Sequence, residues 1–447
     1  MHSPDSPATG NNSPVAFREA FLFWLKLGFI SFGGPAGQIA IMHQELVEKR
    51  QWISERRFLH ALNYCMLLPG PEAQQLAIYL GWLLHRTWGG IIAGSLFILP
   101  SLLILILLSW LYLAFGDTQL LAGLFYGLKP AVTAIVLHAA HRIGTRVLIN
   151  PMLWLLAIAA FLSMLLLDMS FPLIIVSAAL LAHLASRLAP DKFTRSDHDA
   201  TPIIASIVDD DYRPAHTRFH WPKLVTIVMT GILLWLIPMA VLNYQYGWNH
   251  ALTQMAWFFS KAALMTFGGA YAVLPYVYQG AVEHYHWLLP QQMIDGLALG
   301  ETTPGPLIMV VTFVGFVAGW TQNLFGPEHL LLSGVIAALV VTYFSFLPSF
   351  LFILAGGPLV ESSRNNLKLT APLTGITAAV VGVILNLAIF FAQHVFWPHG
   401  LNGQTDISAV LICLLALLAL FRYRLNVMVV MAGCGVAGLL LSFWGMQ

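Results

Sequence analysis

One stretch of this sequence occurs twice, 235 residues apart, and this duplication constrains the fold more than any other feature. Phe32-Gly33-Gly34-Pro35 recurs as Phe267-Gly268-Gly269, and Pro69-Gly70-Pro71 recurs as Pro304-Gly305-Pro306 at the same offset. The offset relates three further pairs: Lys26 and Lys261, Ser31 and Thr266, and Trp52 and Trp287. Matching helix breakers in the two halves of a membrane chain are typical of a transporter whose site lies between its repeats.

The similarity continues farther along each half. Leu99-Pro100-Ser101 matches Leu347-Pro348-Ser349 at an offset of 248, and Thr133 matches Thr377 at an offset of 244. Because the order of the motifs is kept while the offset changes by only a few residues, we infer that the loops have drifted in length. The chain therefore consists of two copies of one unit.

The composition is that of a polytopic membrane protein. Of 447 residues, 58% are hydrophobic and 9% are charged, against roughly 25% charged in an ordinary soluble domain. We therefore expect an all-α polytopic membrane protein built from two inverted-topology repeats with broken or re-entrant helices. The three cysteines, Cys65, Cys413 and Cys434, lie far apart in apolar segments, and we interpret them as small core residues.

Two polar stretches set the expected domain boundaries. Residues 1–16 are polar and rich in proline, without the apolar run of a signal peptide, and they are predicted to be a disordered tail. Residues 190–223 are predicted to be a cytoplasmic linker. The first repeat is then 17–189 and the second is 252–447. Residues 224–243 form an extra transmembrane helix without a partner in the first half, which inverts the second repeat.

Each repeat is expected to begin with two broken segments, because glycine relaxes the steric limits on the backbone and proline removes a hydrogen-bond donor. The breaks interrupt segments at about 17–57, 58–84, 252–279 and 291–319. The apolar runs that follow are close to the length of about 20 residues that spans a bilayer. They cover 88–115, 120–140, 151–167 and 171–187 in the first copy, and 329–355, 370–392, 407–421 and 426–445 in the second.

Loop charges predict that the repeats are inverted. The loop after the first broken segment carries Lys49, Arg50, Arg56 and Arg57, whereas its copy at 278–290 contains no lysine or arginine. The positive-inside bias places the first loop in the cytoplasm and the second outside. Four re-entrant hairpins plus nine spans satisfy this bias, and irregular backbone is tolerated where it lines a cavity. Thirteen full spans are the alternative, but they would place the basic loop outside.

The breaks are the candidate substrate site. The second arm of each broken segment would leave unpaired N–H groups and the positive end of a helix dipole at the break, which suits an anion. The alternative is that these glycines and prolines serve only packing. The candidate substrate-binding residues are Lys26, Ser31, Gly33, Gly34, Pro69, Gly70, Pro71, Lys261, Thr266, Gly268, Gly269, Thr302, Thr303 and Gly305.

Several roles stay open at this point. Lys26 and Lys261 recur in both repeats, and a buried lysine is costly unless it pairs or contacts substrate, but Lys26 could also snorkel to an interface. Glu72 and Glu301 flank the Pro-Gly-Pro motifs at non-equivalent positions. They are candidates for proton coupling, and the alternative is that they pair with a lysine or cap a helix. The threonine hydroxyls either donate to an oxyanion or bond their own helix backbone.

The motifs resemble a known family. The FGGP block with its upstream lysine, the basic loop with Gln51-Trp52, the segment LLPGPEAQQLAIYLGW and the later TFGGAYAVLPY and ETTPGP are similar to the chromate ion transporter family in its long two-domain form. The resemblance implies a duplicated domain of opposed orientation that exports chromate from the bacterial cytoplasm through the inner membrane and confers chromate resistance. Ala270 departs from the pattern, since Pro35 holds this position in the first copy.

Physical chemistry is consistent with export. Moving a dianion out of a negative interior is favoured by about 4.6 kcal/mol per 100 mV, so efflux could use the membrane potential, proton exchange or both. Sulfate or another tetrahedral oxyanion is the competing cargo. A membrane-embedded enzyme is disfavoured, because the sequence has no metal or nucleophile motif and implies no cofactor. The expected partners are the oxyanion and the lipid bilayer, with no nucleic acid and with a homodimer left open.

Overall fold

The computed structural model describes residues 15–32, 34–116, 118–188, 217, 219–267, 269–362, 370–400 and 403–444. The predicted tail, most of the predicted linker, Gly33 and Gly268 lie outside these residues. The described part of the chain forms sixteen α-helices, which confirms the all-α class.

The first half contains seven helices and is followed by the extra one. Their bounds are Phe17–Ile30 (α1), Gly34–His43 (α2), Glu55–Leu67 (α3), Glu72–Phe115 (α4), Gln119–Val147 (α5), Pro151–Leu167 (α6), Phe171–Leu188 (α7) and Trp221–Tyr246 (α8). A π-helical turn, Gln44–Lys49, extends α2.

The second half repeats this order. Its helices are Ala251–Leu264 (α9), Ala270–Tyr278 (α10), Pro290–Thr302 (α11), Val310–Thr321 (α12), Leu330–Ser362 (α13), Thr370–Phe396 (α14), Ile407–Phe421 (α15) and Val427–Phe443 (α16). A π-helical turn, Gln279–His284, extends α10 as its counterpart extends α2. A 3-10 turn, Leu307–Met309, precedes α12.

Helix α4 reverses direction within its length. His85 and Arg86 leave helical geometry, and Arg86 has φ +57°. The two arms then run back along each other, because a side chain on Gly81 would meet the carbonyl oxygen of Gly89 at 2.5 Å. The first arm of α4 is therefore the second half of the broken segment predicted at 58–84. The second arm is the first full span, predicted at 88–115.

The first broken segment of each repeat folds back to the end of the bundle where it begins. Arg50, after α2, lies 3.0 Å from Glu19 in the first turns of α1. In the second repeat, the hydroxyl of Tyr285 donates to Gln254 Oε1 at 3.1 Å. A segment that crossed fully would separate such residues by a hydrocarbon core about 30 Å thick. The first broken segment of each repeat is thus a re-entrant hairpin, which excludes thirteen full crossings.

The remaining helices match the nine predicted spans. Among the described residues, α4, α5, α8, α13 and α14 are long and apolar enough to cross a membrane, and α6, α7, α15 and α16 are shorter apolar helices. Helix α12 is also short and apolar, but it belongs to a broken segment. Large apolar side chains are exposed on the periphery, among them Leu155 and Leu166 on α6 and Ile232 on α8. These faces suit contact with lipid. The protein is a multi-pass membrane protein.

The last three helices of each repeat pack against those of the other repeat. Helix α5 of the first repeat packs against α15 and α16 of the second, and α14 of the second packs against α6 and α7 of the first. Glycines permit this approach, since a Cβ on Gly123 would lie 2.6 Å from Ser442 Cβ. We call α5–α7 and α14–α16 together the outer bundle. The broken segments pack mainly with α4 and α13, and Cys65, Cys413 and Cys434 are buried.

Candidate functional site

The four breaks meet in two pairs. The amide of Gly70 donates to the carbonyl oxygen of Thr266, and the amide of Gly305 donates to the carbonyl oxygen of Ser31, each at 2.7 Å. Ser31 corresponds to Thr266 and Gly70 to Gly305, so the two bonds are copies of each other under the duplication. Each Pro-Gly-Pro break is therefore joined to the glycine-pair break of the opposite repeat.

Glycine is required at these junctions. Gly70 and Gly305 have φ angles of +131° and +105°, in a region that side chains disfavour. A Cβ on Gly70 would lie 2.5 Å from Ser349 Oγ, and one on Gly305 would lie 2.8 Å from Ser101 Cβ. Ser101 and Ser349 belong to the duplicated Leu-Pro-Ser motif. Each Pro-Gly-Pro break thus packs against the Leu-Pro-Ser motif of the other repeat, which lies within helix α4 or α13.

A helix or helical turn begins at every break, so its first amides lie at the break. Helix α4 starts after Pro71, α10 starts after Gly269, and the 3-10 turn before α12 starts after Pro306; none of these three starts has a side-chain cap. Helix α2 begins at Gly34, which has φ +71°. Uncapped N-termini present free N–H groups and a partial positive charge, which favours an anion.

Buried polar side chains near the junctions lack partners. Ser31, Gln74 and Ser101 are fully buried, and neither the two hydroxyls nor the Gln74 amide has a hydrogen bond within the described residues. Gln38 Nε2 donates to the Gly305 carbonyl oxygen at 2.5 Å, but its Oε1 has no partner in the described part of the chain. A buried polar atom left unpaired costs about 1–3 kcal/mol. A polar ligand would satisfy these atoms.

The threonine hydroxyls bond their own helices. Thr266 Oγ1 donates to the Ala262 carbonyl oxygen at 2.7 Å. Thr302 and Thr303 donate in the same way, each at 3.1 Å, to carbonyl oxygens three or four residues earlier. Of the alternatives open at the sequence level, the structure has the backbone-bonded one. The Ser31 hydroxyl differs from its counterpart Thr266 in having no partner among the residues described.

The paired lysines lie away from the junctions. Lys26 is exposed on α1. Lys261 is half-buried, with its Nζ 5.6 Å from the centre of the Trp257 ring. Within the described parts of the chain, neither ammonium group contacts a residue of a break. Any action of these lysines on a bound anion is therefore long-range.

The two predicted carboxylates differ in their surroundings. Glu72 is the half-buried first residue of α4, where the helix dipole favours a negative charge. Glu301 is half-buried one residue before the end of α11 and accepts a hydrogen bond from the hydroxyl of Tyr271. Tyr271 is 7% exposed. Both carboxylates adjoin a Pro-Gly-Pro break, one on each side of the duplication.

One buried ionisable cluster was missed from the sequence. Asp295 on α11 is 3% exposed, and its Oδ2 lies 3.5 Å from Lys129 Nζ and 2.9 Å from the hydroxyl of Tyr112. A second carboxylate besides Glu301 within the apolar segment 291–319 was a usable signal. Gln38 gave no such signal, because its counterpart is Val273. Ser101 and Ser349 were visible as a duplicated pair but were assigned no role.

The chain is similar to known transport proteins along most of its length. The family model described as chromate transporter matches residues 18–183 and 253–439. The chromate transport protein of Pseudomonas aeruginosa is 33% identical over 95% of this chain and 92% of its own length. The chromate transport protein of Cupriavidus metallidurans is 28% identical over 98% of this chain and 96% of its own length. The probable chromate transport protein of Synechococcus elongatus is also 28% identical, over 94% of each chain. No solved structure matches.

Proposed function

This chain belongs to the chromate transporter family, and from that premise we propose that it exports chromate from the cytoplasm across the bacterial inner membrane. The observation that supports a transport site most directly is the reciprocal pairing of the breaks, Gly70 with Thr266 and Gly305 with Ser31. It brings helix starts from both repeats together inside a membrane protein.

The chemistry of the junctions fits a tetrahedral dianion. Chromate carries four oxygen atoms that accept hydrogen bonds, and the uncapped helix starts supply donors. The Ser31 hydroxyl and the Gln74 amide, both buried and without partners among the described residues, add side-chain donors. The proposed substrate-binding residues remain Lys26, Ser31, Gly33, Gly34, Pro69, Gly70, Pro71, Lys261, Thr266, Gly268, Gly269, Thr302, Thr303 and Gly305. To these we add Gln74.

We propose that the membrane potential drives export. The interior of the cell is negative, so the outward movement of a dianion is favoured by about 4.6 kcal/mol per 100 mV. Glu72 and Glu301 are the proposed carriers for an accompanying proton exchange, because each is half-buried beside a break. An import cycle for the same anion would need coupled cations to overcome the potential.

The second candidate cargo is sulfate. It has the same charge and shape as chromate, and the donors at the junctions do not select between them by geometry alone. A membrane-embedded enzyme is less favoured, because the relatives are named transport proteins. We also propose the two repeats at 17–189 and 252–447, with the inverting helix at 224–243 between them. A homodimer in the membrane is compatible with the exposed apolar faces of α6 and α8.

Flux measurements in proteoliposomes test the proposal. Proteoliposomes that contain the purified full chain are loaded with chromate. Chromate efflux is then measured under an imposed membrane potential and, separately, under an imposed pH gradient. We expect chromate efflux to rise with an inside-negative potential and to be inhibited by sulfate. Thr226→Val is the control, since Thr226 is exposed on α8 and its hydroxyl donates to the Pro222 carbonyl oxygen of the same helix. Sulfate flux without chromate flux would overturn the assignment of cargo.

A further inference from the structure

The first hairpins of the two repeats are equivalent in sequence but differ in exposure. On α2 and its π-helical extension, every fourth side chain is exposed: Ala36, Ala40 and Gln44, here called the α2 stripe. Tyr271 and Pro275, which occupy the first two of these positions in the second repeat, are buried. The third equivalent, Gln279, is half-buried. One copy of this surface is thus covered and the other is not.

The covered copy packs on the outer bundle. Gln279 Oε1 accepts a 3.0 Å hydrogen bond from the amide of Phe171, the first residue of α7. The ring of Tyr278 lies 4.3 Å from the ring of Phe390 on α14. These contacts join α10 to α7 and α14, which close the bundle on that side.

The second hairpins show the same contrast. Leu59 and Asn63 are exposed on α3, whereas their equivalents on α11, Ile294 and Ala298, are fully buried. Helix α11 packs against α5 of the outer bundle, and the 3.5 Å contact between Asp295 and Lys129 joins the same two helices. Two independent surfaces are therefore covered in the second repeat and uncovered in the first.

The uncovered surfaces lie toward the cytoplasm. The loop that joins the first two hairpins of the first repeat contains Lys49, Arg50, Arg56 and Arg57, and the positive-inside rule places it inside. The corresponding loop of the second repeat lies at the opposite, outer end. On the external side of the membrane, the broken segments thus pack against the outer bundle. On the cytoplasmic side, they do not.

We propose that this is the cytoplasm-open state of a two-state cycle, in which the α2 stripe and the exposed face of α3 dock on the outer bundle when the outer contacts release. Helices α7 and α16 align at an offset of 256, which maps Phe171 to Val427. In the outward-open state, Gln44 then accepts a hydrogen bond from the amide of Val427, as Gln279 does here from Phe171. The proposal rests on the proposed transport function.

The two closures differ in charge. The outer closure contains the Asp295–Lys129 pair, whereas the equivalent positions in the first repeat are His60 and Leu373. The outer closure therefore has an attraction between a carboxylate and an ammonium that the inner closure lacks. Asp295 acts as a positioning residue, which holds α11 against α5 and biases the protein toward the cytoplasm-open state.

Paired cysteines test the exchange of contacts. In a background without Cys65, Cys413 and Cys434, the full chain carries either Phe171→Cys with Gln279→Cys, or Gln44→Cys with Val427→Cys. We expect the first pair to cross-link in the resting protein and the second pair to cross-link only during turnover or under an imposed potential. Each cross-link should stop transport, and a reductant should restore it, which shows that the variant is folded.

Labelling provides a second readout that needs no cargo. Asn63→Cys should react from the cytoplasmic side, and Ala298→Cys should be protected from the outside. Adding Asp295→Asn should raise labelling of Ala298→Cys about fivefold or more, the lower end of ordinary coupling energies. Asp406→Asn is the matched control, because Asp406 accepts from Tyr126 within the outer bundle at 2.7 Å and caps α15.

Three results would overturn the inference. They are a Gln44–Val427 pair that never cross-links in an actively transporting protein, a cross-link of that pair between two copies of the chain, and unchanged labelling of Ala298→Cys in the Asp295→Asn variant. Because labelling reports the conformation in the absence of any anion, these outcomes are separate from the identity of the cargo. If the protein changes conformation as described but does not transport chromate, the two-state cycle is supported and only the proposed substrate is excluded.

Discussion

The amide of Gly70 donates a hydrogen bond to the carbonyl oxygen of Thr266 over 2.7 Å, and this contact joins the second break of one repeat to the first break of the other. The bond involves only backbone groups. It depends on a φ of +131° at Gly70, which residues with side chains rarely adopt. The junction therefore constrains the glycines more strictly than any neighbouring side chain.

Gly70→Ala and Gly305→Ala should each destabilise the protein and abolish transport. The disfavoured φ costs about 1–3 kcal/mol, and the new methyl group would collide with Ser349 or Ser101. Thermal unfolding in detergent and chromate flux measure both effects. Gly326→Ala is the control, since Gly326 has φ +91° but open space around it. Wild-type flux in Gly305→Ala would show that the paired breaks are not needed for transport.

Ser31→Ala should weaken chromate binding without unfolding the protein. The hydroxyl of Ser31 has no partner within the described residues, so its removal costs no intramolecular hydrogen bond. Loss of one hydrogen bond to a charged ligand corresponds to a fall in affinity of about tenfold or more. Ser109→Ala is the matched control, because Ser109 is also fully buried but its hydroxyl already donates to the Leu105 carbonyl oxygen. Concentration-dependent uptake into inverted vesicles compares the two, and equal affinities would exclude Ser31 as a ligand.

Lys26→Ala and Lys261→Ala should lower oxyanion uptake moderately while leaving expression intact. Neither lysine contacts a break among the described residues, so each acts through its long-range field. We expect a reduction of about two- to threefold at low ionic strength that disappears in high salt, where charges are screened within a few ångströms. Initial rates at several salt concentrations measure this. Unchanged uptake in both variants at low salt would remove the lysines from the site.

Glu301→Gln should separate the two driving forces. Glutamine preserves an acceptor for the Tyr271 hydroxyl but cannot carry a proton. If Glu301 is the proton carrier, chromate efflux in this variant should keep its response to voltage and lose its response to a pH gradient. Glu72→Gln is tested in parallel, and Glu328→Gln, in the exposed turn before α13, is the control. An intact pH response in both variants would exclude these two glutamates as proton carriers, whereas a wild-type protein without any pH response would leave the potential as the sole driving force.

Cysteines at Glu48 and Glu283 should report opposite faces of the membrane. These residues are exposed and equivalent under the offset of 235. A membrane-impermeant maleimide added to intact spheroplasts should label Glu283→Cys, and the same reagent added to inverted vesicles should label Glu48→Cys. Labelling of both variants from one side only would contradict the inverted arrangement of the repeats.

Much of the architecture was predictable because the same motifs occur in both halves of the sequence. Gly34, Gly70 and their copies marked the breaks, and the lack of lysine or arginine at 278–290 indicated inversion. The pairing of particular breaks was not predictable, because the offset shows which residues correspond but not which ones touch. The structure supplied that step through the bonds of Gly70 and Gly305.

The site was less predictable than the fold. Threonine has two common uses in an apolar helix, and only geometry shows that Thr266, Thr302 and Thr303 bond their own backbones. Gln38 and Asp295 occur in one repeat alone, so the comparison of halves gave them no weight. Residues that break the internal symmetry are the ones that such a comparison overlooks, and here they include a buried charge.

The junction between the breaks has a consequence for the history of such chains. The bonds of Gly70 and Gly305 use backbone atoms alone. Mutations of the surrounding side chains can therefore alter which anion is bound without breaking the junctions between the two repeats. In proteins with these junctions, the preference among oxyanions can evolve by single substitutions, and the protein stays folded at each step.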